Sequence, residues 1–353
     1  MRTLNLVIMN KVTFYFIVSI ASLFLFSCSK NDPVAEITPP RAYADQYKTD
    51  IADIKEYLTS YYITVINNPG KTDDQDVTIT KIPEGGTQRP IMSYKDATTY
   101  PKLLIRNVKL HDVDYELYYL VLRPGTGASP TNVDGVFAAY RGDYLQRIAA
   151  TTATPIIPSY ISATKFEEAK FPQSFFSLYS TVPGWGETFP QFKKGTYTTN
   201  ADGSISYNDF GAGVIFLPSG LGYYNRGAGS IPSYAPLVFS FKLYEIQRLD
   251  QDNDGILSYQ EDLNGDGYMY DYRNTVNYPT SPEDAIRYAD DTDKDGIPNV
   301  FDSDDDGDNY TTKLELKKPD ETYHTFETVP SCSGSAAGVK RYLTANCKPP
   351  YTN

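Results

Sequence analysis

The stretch from Val214 to Ile246, VIFLPSGLGYYNRGAGSIPSYAPLVFSFKLYEI, constrains the fold more than any other part of the chain. It opens on an apolar run that stops at Pro218. It closes on Leu237 to Tyr244, where apolar and polar residues partly alternate as a half-buried strand requires. A loop rich in Gly, Tyr and Ser, with an Ile231-Pro232 step, joins the two. Two strands connected by a long aromatic loop imply an apolar pocket roofed by that loop.

The remaining elements follow in chain order. From Tyr43 to about Ile63, residues Tyr47, Ile51, Ile54, Leu58 and Tyr62 recur at three- and four-residue steps, so a helix with one apolar stripe is expected. Asn67-Asn68-Pro69-Gly70 stops it. Residues 70–100 read as loop. Strand signals return at Leu103-Leu104-Ile105 and strengthen over Tyr115–Leu122; Pro124-Gly125-Thr126-Gly127 is a turn, and Gly135–Tyr144 a further strand. Residues 146–172, rich in Ala, Thr, Ile and Pro, read as an irregular insertion before a short strand at Phe175–Leu178. Trp185, Phe189 and Phe192 sit at helical spacing in a short helix closed by Gly195. Composition changes abruptly after Gln247, which sets a boundary near 248.

Three segments, YYLVLRPGTG followed by VFAAYRG, then VPGWGETFPQFKKG, then LPSGLGYYNRGAGSIPSYAPLVFSFKLYEI, together resemble the FKBP family of macrolide-binding peptidyl-prolyl cis-trans isomerases. The resemblance is good over residues 115–246. It implies an α+β fold, an FKBP-like antiparallel sheet curled around a short helix, here with an added N-terminal helix and a C-terminal calcium-loop segment. It also implies site residues. Trp185 would floor the pocket, and the backbone N–H of Val182 would receive a ligand carbonyl. Tyr140 and Phe239 would be walls, Tyr223 a hydroxyl donor to the bound peptide, and Ile231 the apolar residue of the flap. Phe166, in Lys165-Phe166-Glu167, would match the family's Phe-Asp step. The chain departs from the family there, with Glu167 in place of Asp, and again at Tyr223-Tyr224, where the family has Tyr-Gly. The chemistry such a site serves needs no cofactor. An Xaa–Pro bond isomerises over a barrier of about 20 kcal/mol set by amide resonance. A catalyst has to hold the proline ring in a dry aromatic slot and aim donors at carbonyl oxygens beside the twisted amide.

The acidic segment is a separate signal. Residues 250–309 hold 16 Asp and 2 Glu against Arg273, Arg287 and Lys294, while the whole chain has a net charge of only −12. Asp250, Asp252, Asp254, Gly255, Ile256, Ser258 and Glu261 fill every required position of a twelve-residue calcium loop, with Ile256 offering its carbonyl and Glu261 a bidentate carboxylate. A second loop from Asp262 has Arg273 at its twelfth position and fits the template less well. Asp291, Asp293, Asp295 and Asp302, then Asp304, Asp306 and Asp308, resemble thrombospondin type 3 repeats, and the register from Asp304 to Glu315 keeps calcium-loop spacing with Asn309 at the turn position. Structural Ca²⁺ is therefore expected.

Arg2 and Lys11 flank the start of an apolar run, Val12–Phe26, that ends in Leu25-Phe26-Ser27-Cys28 and resembles a lipoprotein signal. Residues 1–27 would be removed, Cys28 lipidated, and 28–42 left as a tether at the cell envelope, on the periplasmic or surface face of an outer membrane. In such a compartment Cys332 and Cys347 would form a disulfide. The expected order is then an N-terminal helix and extension (43–114), an FKBP-like domain (115–247), an acidic calcium segment (248–318) and a disulfide-closed tail (319–353). Without a basic stripe, nucleic acid is not an expected partner; proline-containing polypeptides and the membrane are. Three functions remain open: a prolyl isomerase for exported proteins, a non-catalytic proline-peptide-binding assembly module, and a calcium-stabilised adhesion protein.

Overall fold

The computed structural model describes residues 39–154, 156–332 and 338–351. The signal segment, Cys28 and the tether up to residue 38 lie outside them. Pro39 to Ala42 are exposed and carry no regular structure. No helix of the described residues is long and apolar enough to cross a membrane.

Helix α1 (Tyr43–Ser60) buries Ile54, Tyr57 and Leu58 and ends where Tyr61 turns extended. The chain then forms a two-stranded ribbon, β1 (Tyr61–Val65) and β2 (Val77–Lys81). The main sheet follows: β3 (Lys102–Leu110), β4 (Val113–Arg123), β5 (Gly135–Ile148), β6 (Tyr160–Ala169), β7 (Phe176–Ser177), β10 (Gly211–Leu217) and β11 (Leu237–Gln247). Its order is β3-β4-β10-β11-β5-β6, with β7 paired to β5, and every pairing is antiparallel. Between β7 and β10 lie helix α2 (Pro183–Thr188) and a hairpin of β8 (Thr196–Thr199) and β9 (Ile205–Asn208).

Strand alternation sends side chains to two covered faces. Leu117, Tyr119, Ile215, Leu217, Leu237, Phe239 and Phe241 join Trp185, Phe189 and Phe192 on the α2 side. Tyr118, Leu120, Val214, Phe216 and Val238 join Ile54, Tyr57 and Leu58 on the α1 side. Cover on both faces is why β10 is buried at every position and why its sequence reads as one apolar run. The result is a mixed α/β architecture whose antiparallel sheet curls around a short helix.

Several expectations need correction. Residues 70–100 are not all loop: β2 lies among them, as does a 3₁₀ turn at Ile91–Asp96. Residues 146–172 are not an irregular insertion. They contain the ten-residue strand β6, which pairs with β5 from Tyr140↔Ala169 to Ile148↔Tyr160. This strand forms the sheet edge and buries only Ile161, so its Thr, Lys and Glu show no apolar alternation in the sequence. A boundary at residue 115 would cut the β3–β4 hairpin, whose register runs from Lys102↔Val121 to Leu110↔Val113. The hairpin tip is His111-Asp112, both at φ 56°. Asp and His tolerate this left-handed region better than most residues, but neither carries the usual Asn-Gly signature, so the turn did not stand out in the sequence.

The segment after Gln247 packs on the sheet body instead of trailing from it. Arg248 pairs with the buried Asp134, and Arg106 on β3 pairs with Glu187 on α2 at 2.9 Å. Tyr270 donates to Glu187 at 3.0 Å, and Tyr268 donates to the Glu187 carbonyl at 3.0 Å. Met269 and Val300 close on Val133 in a small apolar cluster. A second cluster, Ile256, Leu316, Val329 and Tyr342, lies within the segment. Only single-turn helices occur among its described residues, α3 (Asp284–Arg287) and α4 (Thr312–Glu315). Cys332 and Cys347 are joined, with Cα atoms 5.9 Å apart.

Candidate functional site

A cavity of about 520 Å³ opens where α2 meets β5, β11 and the loop after β10. Tyr140, Val182, Trp185, Tyr223 and Phe239 line it, together with Glu167, Phe176 and Pro183. Pro183 opens α2 at its first turn, where its missing N–H costs nothing, and Val182 is the extended residue just before it. That geometry places Trp185 one turn in, 5% exposed, against the sheet. Tyr140 and Phe239 stand edge-on to the indole, each with ring centroids 5.0 Å away, and Phe176 lies at 5.2 Å. Tyr223 stands at the rim, 36% exposed.

The other two expected site residues do not line this cavity. Phe166 packs edge-on to Phe239 at 5.7 Å and supports that wall from β6; Glu167 is its neighbour that faces the cavity. Gly142 on β5 makes this possible, because a Cβ there would lie 2.4 Å from the Phe166 ring. Ile231 is buried in the core on the α2 side and holds the loop down through paired backbone bonds with Ala228 (3.2 and 2.8 Å). Tyr140 donates to Glu167 Oε1 at 2.8 Å. Burial, and then this bond, push the Tyr140 hydroxyl above its ordinary pKa. Tyr224 turns away at φ 47° and stacks on Tyr43 of α1 at 4.0 Å.

In the acidic segment four loops share one geometry. The first Asp of each accepts the N–H five residues on: Asp250 from Gly255 at 3.2 Å, Asp262 from Gly267 at 2.8 Å, Asp291 from Gly296 at 2.9 Å, Asp304 from Asn309 at 2.9 Å. The acceptor loops close through a left-handed residue, Gly255 at φ 105° or Asn309 at φ 73°, which Gly and Asn adopt readily. The second loop, from Asp262, thus folds like the others despite its poorer match to the template.

Three carboxylates converge in each of four groups, with one oxygen from every member within 4.8 Å of the others: Asp250/Asp252/Asp254, Asp254/Glu261/Asp305, Asp291/Asp293/Asp295 and Asp304/Asp306/Asp308. Asp302 joins none of these; its Oδ1 instead accepts the Asp304 N–H at 2.9 Å. Ser258 is fully buried, and its Oγ accepts the Gln251 N–H at 3.1 Å. Ile256 is fully buried as well. Glu315 is buried, with one oxygen bonded by Tyr351 at 2.5 Å and the other without a partner among the described residues. Asp305 was not expected at all: strict alternate spacing reads only the ligands inside a loop.

These groups fit a hard divalent cation. Asp252 Oδ2, Asp254 Oδ2, both oxygens of Glu261 and both of Asp305 are buried without a hydrogen-bond partner among the described residues. Calcium takes six to eight such oxygens. Without a cation, burial and mutual repulsion raise Asp252 to about 8, Asp254 to about 7 and Glu261 to about 11. Burial likewise lifts Glu315 to about 8 and Asp306 to about 6.

Comparisons with known proteins found FKBP-type isomerases and one family model in the C-terminal part. The FKBP-type peptidyl-prolyl cis-trans isomerase FkpA of Aeromonas hydrophila is 33% identical over 138 residues, 39% of this chain. The aligned part spans 41% of that relative's length. Among solved structures, a peptidyl-prolyl cis-trans isomerase from Pseudomonas syringae pv. tomato is 20% identical, with a TM-score of 0.28, over 46% of this chain and all of that one. FkpA from Escherichia coli is 16% identical, with a TM-score of 0.30, over 68% of this chain and 74% of that one. A family model described as BamM C-terminal matches residues 251–338, which lie in the acidic segment and tail. The sequence similarity links part of the chain to an FKBP-type isomerase.

Proposed function

We propose that the protein is a peptidyl-prolyl cis-trans isomerase acting on proline-containing segments of exported polypeptides. The observation that carries this reading is the cavity at α2, where Trp185 meets Tyr140 and Phe239 edge-on and Tyr223 stands at the rim. A proline ring fits against the indole face. The aromatic walls keep water from the amide, and an amide whose carbonyl oxygen is desolvated loses conjugation at lower cost. The Tyr223 hydroxyl and the Val182 N–H are the donors that steady the flanking carbonyls as the bond twists. No nucleophile and no metal take part in this step.

A second reading rests on Glu167. Its carboxylate is engaged by the Tyr140 hydroxyl at the cavity wall, so the pocket can grip proline without lowering the barrier, as a peptide-binding assembly module would. Exchange spectroscopy on a short Xaa–Pro peptide separates the two. Catalysed exchange that falls at least tenfold in Trp185→Ala and several-fold in Tyr223→Phe supports the isomerase. Peptide binding with exchange at the uncatalysed rate would replace it with the module.

The acidic segment is, in this reading, a calcium-stabilised appendage, held by Asp250, Asp252, Asp254 and Glu261 in the first loop and by the Asp291 and Asp304 loops after it. The buried carboxylate oxygens without partners support it. Calcium there supplies positive charge and a rigid shell; the protein's own residues set the loop geometry. Lipidation at Cys28 would tether the molecule to a membrane of the cell envelope. The leader sequence, the similarity to FkpA and the BamM C-terminal match all fit that setting.

A further inference from the structure

Asp305 is a buried carboxylate without an ion pair among the described residues. Its carboxylate is 1% exposed, and neither oxygen has a hydrogen-bond partner among the described residues. The Thr312 hydroxyl is nearby and eases the charge slightly, yet makes no bond of normal geometry to it; that hydroxyl takes the Asp305 backbone N–H at 3.3 Å. No Lys or Arg ion pair reaches it among the described residues. Instead one Asp305 oxygen lies within 4.8 Å of oxygens from Asp254 and Glu261, which are also buried.

We propose that Asp305 is a ligand of the cation held by the loop Asp250–Glu261, reaching it from the separate loop at Asp302–Asp308. The inference rests on the calcium reading above and names a ligand that no loop template contains. Ser258, at the ninth position of the first loop, is engaged by the Gln251 N–H. The Asp305 carboxylate adds an oxygen to the shell from outside the loop, beside those of Asp254 and Glu261. Asp304 and Asp306 face the other way, into their own group with Asp308. The peptide from 304 to 306 is thus a wall common to two cation sites, so filling one orders part of the other. An ion held by two loops distant in sequence also acts as a crosslink, ordering the chain between them.

The calcium dependence of a single substitution tests this. Asp305→Asn keeps the shape and removes the charge. Without calcium the side chain has no ion to hold, so the isosteric amide leaves stability close to wild type; with calcium the carboxylate holds the ion, so its removal destabilises. The experiment is thermal unfolding and terbium luminescence of the intact chain, in chelator and in millimolar calcium, with the exposed Asp320→Asn as control. The expected result is a melting point close to wild type in chelator, a melting point below it in calcium, and at least a tenfold weaker calcium affinity. Wild-type affinity in Asp305→Asn would overturn the assignment. A loss of stability in both conditions would make Asp305 a packing residue and overturn it as well. If the wild-type chain takes up neither ion, the calcium reading itself fails and this ligand goes with it.

Discussion

Asp50 shows how one side chain fixes the roof of the cavity. It is buried on α1 and accepts the Ser219 N–H at 2.7 Å, the Ser219 hydroxyl at 2.6 Å and Gln46 at 2.6 Å. Burial raises its pKa, and these bonds oppose the rise. Ser219 begins the loop that carries Tyr223. Asp50→Ala would leave that N–H unpaired, and a loss of about 2–3 kcal/mol in denaturant unfolding is expected. His111 gives a pH dependence. Its ring stacks on Tyr43 at 3.7 Å and contacts the Tyr115 hydroxyl at 3.2 Å, and burial depresses its pKa to about 4. Between pH 4 and the ordinary value of about 6.5 the unfolded chain binds a proton that the folded chain refuses. The contribution is complete above 6.5 and is lost as the pH falls toward 4, by up to about 3 kcal/mol. His111→Asn keeps the left-handed turn and should flatten that part of the stability profile; an unchanged slope would assign it to other groups.

Helix α2 is short, and its neighbours set its role. Trp185 faces the sheet and the cavity, whereas Glu187 faces Arg106 and the tyrosines of the C-terminal segment. Strand β6 supports the same cavity from the far side, through Phe166 lying over Gly142. Gly142→Val should displace that ring, costing about 1–3 kcal/mol as overpacking does, and weaken peptide binding without touching a lining residue. Calorimetry and peptide titration check both. The sequence made some of these elements legible and hid others for identifiable reasons. Strands β4, β10 and β11 are covered on two faces, so their apolar runs are unmistakable, and the Pro-Gly-Trp-Gly start marks α2. Tyr140, Val182, Trp185, Tyr223 and Phe239 stand round one cavity, and each lies in one of the three segments that carry the family resemblance. Strand β6 is paired on one side and mostly wet, so its pattern resembles loop. Phe166 and Ile231 were assigned by motif position, and motif position does not say whether a ring lines a cavity or props its wall. Asp305 fell between the ligand positions of a loop and was invisible to any template.

Across the molecule, the sheet body and the acidic segment draw stability from different sources. The body has two apolar layers. The segment has two small clusters, a disulfide and many carboxylates, which cations would neutralise in the calcium reading proposed above. Chelation should therefore loosen the segment selectively. In EDTA, limited proteolysis is expected to cut between residues 248 and 351 while residues 41–247 stay resistant, and calcium should reverse this. Uniform resistance in both conditions would show that the carboxylates need no ion. Prolyl isomerase activity should survive chelation in large part, because the cavity walls come from α2, β5, β6, β11 and the loop after β10.

The chain contains a single tryptophan, Trp185, ringed by Tyr140, Phe176 and Phe239. It lies on the helix whose Glu187 binds the C-terminal segment. The protein thus carries a built-in optical probe: under the proposed function, one unlabelled emission band would read both a proline docking on the indole and a release of the appendage behind it, and quenching by a bound peptide can be told from the red shift of an indole newly exposed to water.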